Sequence, residues 1–86
     1  MKPHEMVAEQ EPDALVMNEF EDACIGMCES FGRPAVALYD YGKILTILVS
    51  QGMSYEDAVA HFSFNIGGAW VGDYTPAFAI LFEPSE

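Results

Sequence analysis

The sequence predicts a small α+β domain in the order α-β-α-α-β, its helices packed on a short two-stranded sheet. Three observations carry this. The chain has 86 residues, room for one domain. It is 51% hydrophobic and 13% aromatic, so a core can form despite a net charge of -11. Its apolar residues repeat with helical spacing in three stretches and run unbroken in two short ones.

Residues 1–14 are polar and acidic, interrupted by Pro3 and Pro12, and read as a mobile acidic arm; residues 15–86 read as the single compact domain. From about Met17 to Phe31, the residues Phe20, Ala23, Cys24, Met27, Cys28 and Phe31 form one helical stripe. Asn18 is placed to cap that helix, and Gly32 and Pro34 to end it. Gly26 inside it weakens it by roughly 1 kcal/mol relative to Ala. Ala35 to Tyr39 is a short apolar run bounded by Pro34 and Asp40, hence a strand. Asp40 caps a second helix, about Tyr41 to Gln51, with Ile44, Leu45, Ile47 and Leu48 inward and Gly52 at its end.

Ser54, with Asp57 three residues on, is a capping pair, and Met53 and Ala58 are placed as a hydrophobic staple. Tyr55, Ala58, Val59, Phe62 and Ile66 then form the buried face of a third helix, about Tyr55 to Asn65. Gly72 to Pro76 is turn chemistry, and Ala77 to Phe82 reads as a second strand. A lone two-stranded ribbon is marginal in water, so the helices must cover it. Its free edges remain open to a homodimer.

Charge narrows the functions. Fourteen acids face three Lys and Arg. Direct nucleic-acid binding is excluded by this balance, because phosphate neutralisation needs clustered cations. The second and third helices are joined by a short Gly-containing turn, as in DNA readers, but Tyr55-Glu56-Asp57 opens the third with no donor for phosphate. No apolar run reaches the ~18 residues of a membrane span. No apolar signal core precedes residue 15. A soluble chain in the compartment where it is made is expected. Cys24 and Cys28 read as reduced core thiols, since four apart on a helix they neither bridge readily nor complete a metal site with His4 and His61. No metal, cofactor or catalytic residue is assigned. Asp57 and His61, spaced i and i+4, suit a surface ion pair better than an oriented base, because no nucleophile accompanies them.

Eight of the fourteen acids precede residue 30: Glu5, Glu9, Glu11, Asp13, Glu19, Glu21, Asp22 and Glu29. Such a field either keeps the chain soluble or docks on a basic groove. Glu19, Glu21, Asp22 and Glu29 are the candidate partner-binding residues. Trp70, set among small residues, is either a packing corner or an interface anchor.

The stretches Asp40 to Lys43, Gly52 to Ala58 and Phe62 to Gly72, with Gly-Met-Ser-Tyr-Glu-Asp-Ala and Ala-Trp-Val-Gly as their most specific pieces, resemble short acidic proteins encoded by bacteriophages and prophages. The resemblance covers roughly Phe20 to Pro76. It implies an accessory protein in a bacterial cytoplasm, of the kind that includes inhibitors of host defence such as anti-CRISPR proteins and nucleic-acid mimics. It carries over no catalytic residue. Two functions follow as expectations. One is a non-enzymatic protein whose acidic surface binds and inhibits a host defence or nucleic-acid-handling protein. The other is a small self-associating structural or regulatory protein whose charge serves solubility.

Overall fold

The computed structural model of the protein describes residues 1–66 and 72–82. It is an α+β domain with a three-stranded mixed sheet. Helix α1 spans Pro3–Gln10, a 3-10 turn spans Asn18–Ala23, and strands β1 and β2 span Cys24–Cys28 and Val36–Asp40. Helices α2 (Tyr41–Ser50) and α3 (Tyr55–His61) follow; a π-helical turn over Phe62–Ile66 continues α3, and β3 is Ala77–Ala79. The sheet order is β1-β2-β3, with β1 antiparallel and β3 parallel to the central β2.

Two expectations are corrected. The expected first strand, Ala35 to Tyr39, is β2 and is paired on both flanks, because a third strand stands where a helix was expected: residues 18–28 are a 3-10 turn followed by β1. Of the expected stripe, Phe20 and Ala23 reach the core from the 3-10 turn and Cys24 from β1, whereas Met27 and Cys28 are half-buried and Phe31 is exposed. Gly26 explains the change. Its φ of +155° suits glycine, and the register with β2 shifts between Cys24 and Gly26, leaving Ile25 as the extra residue of a bulge. Gly32, at φ +78°, serves the β1–β2 hairpin loop rather than a helix end. The second correction concerns residues 3–10, which form α1 instead of a mobile arm. Pro3 opens the helix, Glu5 favours its first turn, and Val7 is buried against the sheet, so α1 is held by packing. Eight residues alone would not stay helical in water.

The local signals further along were legible. Asp40 caps α2 by accepting from the Lys43 N–H at 3.3 Å, and Ser54 caps α3 by accepting from the Asp57 N–H at 3.1 Å. The core comprises Val7, Phe20, Ala23, Cys24, Ala37, Tyr39, Ile44, Leu45, Leu48 and Ala58. Val59, Phe62 and Ile66 pack against it as expected, but Tyr55 is 65% exposed and lies off the buried face. β3 stops at Ala79, shorter than the expected run to Phe82. Rings of Tyr39, Phe78, Phe62 and Tyr41 touch in succession, with Phe62 edge-on to both Tyr41 (4.7 Å) and Phe78 (4.9 Å).

Candidate functional site

The fold gathers six of the fourteen acidic residues in two groups. The 3-10 turn carries Glu19, Glu21 and Asp22 beside the start of α1. Glu19 and Asp22 are exposed. Glu21 is half-buried: its Oε2 accepts the His4 N–H at 3.2 Å and lies 3.6 Å from His4 Nδ1. Glu29 stands beyond the far end of β1, about 15 Å from the turn at the rise of a strand. The four candidates therefore do not share a helix face; three share a turn, and one of those is already paired. Trp70 lies outside the described residues.

The second group was only half legible. Leu15 N–H donates to the Tyr74 carbonyl at 3.3 Å, which lays residues 11–15 against the turn before β3. The Glu11 carboxylate pushes the Tyr74 hydroxyl above its ordinary range, with partial burial, Asp13 and Asp73 adding to the effect. Asp73 is sixty residues from Asp13, and only folding brings them together. Beside the first group lies a cleft of 300 Å³ with Leu15, Val16, Met17 and Phe78 as apolar lining and Glu19 and Thr75 among its polar positions. Among the described residues, His4–Glu21 is the only ion pair, so no lysine or arginine neutralises these carboxylates.

Beneath the first group lies a partly buried polar chain. Tyr39 has no exposed surface. Its hydroxyl oxygen accepts the Met17 N–H at 2.8 Å and sits 2.7 Å from His4 Nε2. A buried hydroxyl proton needs an acceptor, and Nε2 is the one at hand. That assigns the ring proton of neutral His4 to Nδ1, facing Glu21. The chain Glu21–His4–Tyr39–Met17 ties α1, the 3-10 turn and β2 together at one point. It positions the acidic turn.

Burial pushes the Tyr39 hydroxyl up to about 12, assisted by Cys24, Glu19 and Glu21 and opposed by the bond from Met17. An unfolded tyrosine releases its proton near pH ~10. Between these values the unfolded chain holds fewer protons than the folded one, so stability falls as pH rises. Below about pH 10 the contribution is intact. Urea unfolding across this alkaline range should show that decline in wild type and a flatter profile in Tyr39→Phe.

The remaining sequence candidates are placed as follows. Cys24 and Cys28 are free thiols on β1. Burial raises the Cys24 thiol above its usual range, Glu21 adding, against a bond to the Gly26 carbonyl. Among the described residues, no three His, Cys, Asp or Glu could share a metal ion. His61 Nδ1 lies 3.4 Å from Asn65 Nδ2, while the Asp57 backbone is engaged by Ser54. No described helix is long and apolar enough to cross a membrane. Comparison with protein-family models, curated proteins and solved structures finds no match.

Proposed function

We propose that this is a non-enzymatic interaction protein, of phage or prophage origin, acting in the bacterial cytoplasm. Its acidic surface binds a basic host protein that handles nucleic acid or serves defence, such as a CRISPR effector, and inhibits it by occupying the groove that nucleic acid enters. The observation that supports this reading is a set of carboxylates with no lysine or arginine partner: Glu19, which lines the apolar cleft, Asp22 on the same 3-10 turn, and Glu11, Asp13 and Asp73 near Tyr74. Carboxylates in such an array stand in for phosphates, and the apolar floor offers area that charge alone does not. The phage setting rests on the sequence resemblance over roughly Phe20 to Pro76 alone.

The test is binding to purified CRISPR effectors and nucleases at low and high salt, with competing DNA. Tight binding that weakens with salt and is lost to DNA is expected. Glu19→Lys with Asp22→Lys should weaken it by about a hundredfold, from the cost of like charges at a basic interface. Glu21→Gln should do less, because that carboxylate already faces His4. Binding indifferent to salt and to the lysine pair would overturn the reading.

A further inference from the structure

Two contacts hold α1 to the rest of the fold. Val7 is its one buried residue, and His4, whose side chain is 10% exposed, supplies its side-chain bonds. Both nitrogens of that imidazole are engaged. Nδ1 stands 3.6 Å from Glu21 Oε2 on the 3-10 turn, and Nε2 stands 2.7 Å from the Tyr39 hydroxyl on β2. Glu21 Oε2 also accepts the His4 backbone N–H.

These bonds close for one charge state of the ring. With His4 neutral, Tyr39 donates to Nε2, its oxygen accepts the Met17 N–H, and Nδ1–H faces the Glu21 carboxylate. Each donor then has an acceptor. With His4 protonated, both ring nitrogens are donors. The Tyr39 oxygen then faces two N–H groups, and the proton of its own hydroxyl loses its partner. Among the described residues no other acceptor bonds that hydroxyl, and Tyr39 has no exposed surface through which water could serve it. Against this, the pair with Glu21 gains a full charge. That gain falls where water reaches, since the Glu21 side chain is 28% exposed, whereas the loss falls where water does not. The loss prevails.

The other groups around His4 keep their charge through mild acid. The 3-10 turn faces α1 with Glu21, and Glu19 and Asp22 beside it are exposed. β2 presents Tyr39. β1 brings Cys24 to the cavity of 230 Å³ that Pro3, Met6 and Val7 line, and burial keeps that thiol protonated. Lys2 and Glu5, on either side of His4, are exposed, and the Met1 amino group precedes them. Carboxylates as a class titrate below pH ~5, and amines, thiols and phenols above pH ~7. Between these limits the imidazole is the group at α1 that changes charge.

We propose that His4 is a proton-operated latch: when its ring takes up a proton, α1 loosens from the sheet and lets go of Glu21. At neutral pH the latch is shut and the acidic turn is held. In mild acid residues 3–10 come away, and the cavity between α1 and β1 opens on the Cys24 side.

Hydrogen exchange of the full chain at about pH 7 and about pH 5, each corrected for the intrinsic rate at that pH, tests this. In wild type, protection over residues 3–10 should fall about tenfold between the two, the factor that goes with the lower end of the penalty for an orphaned hydroxyl, while β2 amides keep theirs. Glu21→Gln removes the opposing gain and should steepen the fall. Tyr39→Phe has no hydroxyl proton to orphan, so the fall should largely disappear. Imidazole nitrogen shifts of wild type at neutral pH should place the ring proton on Nδ1. Equal protection of α1 at the two pH values in wild type would overturn the proposal. So would an undiminished fall in Tyr39→Phe, which marks general loosening in acid, or a ring proton on Nε2 in the neutral form. No partner enters the measurement, so its outcome is separate from that of the acidic surface.

Discussion

Val7→Asp will detach α1 from the sheet. Val7 is the one buried residue of that helix, with 1% of its surface exposed. The substitution places a carboxylate where its neighbours are apolar, at a cost on the order of 3–5 kcal/mol for an uncompensated charge. The whole domain has roughly 4–13 kcal/mol to lose, at the usual stability per residue. Detachment is the cheaper response, because α1 is terminal and its own eight residues contribute little without packing. The variant should lose helical circular dichroism and hydrogen-exchange protection over residues 3–10, while β2 amides stay protected. His4 leaves with the helix, so Tyr39 loses its acceptor in the same step. Unchanged protection of α1 would show that Val7 does not anchor it.

Tyr39→Phe will lower stability by about 1–3 kcal/mol, although it removes a single oxygen. That oxygen serves two partly buried groups, the Met17 N–H and His4 Nε2. An orphaned group costs about 1–3 kcal/mol when buried and toward the lower end when partly wet, as these two are, and the ring itself still fills its site. The loss should be shared with the partner. His4→Ala breaks the same link, so the double variant should fall well short of the sum of the two, and a double-mutant cycle measures that coupling. Additive losses would mean that the His4–Tyr39 contact contributes nothing to holding α1.

What the sequence made legible was local. The caps Asp40 and Ser54, the breaks at Gly52 and Pro34, and the apolar runs at β2 and β3 each act over three or four residues. What escaped was decided at a distance. Residues 24–28 carry helical spacing, but pairing with Val36–Asp40 prevails, and Ile25-Gly26 was the available hint of a bulged strand. α1 had its start signal in Pro3 and Glu5, yet only the sheet explains why eight polar-looking residues stay helical. The acidic bias was plain in the composition. Its layout was not, because His4 claims Glu21 across seventeen positions and Asp73 joins the group from the far side of the chain.

Strand β2 has a consequence for how the molecule comes apart. Both its flanks are paired, its Tyr39 ties in α1 and the 3-10 turn, and its last residue starts α2. α1, β1, β3 and α2 all pack on these five residues and the 3-10 turn is bonded to Tyr39, so unfolding inward of α1 is expected to be one step. A lesion in this one ribbon is thus felt everywhere, whereas an equal lesion at either rim need not spread.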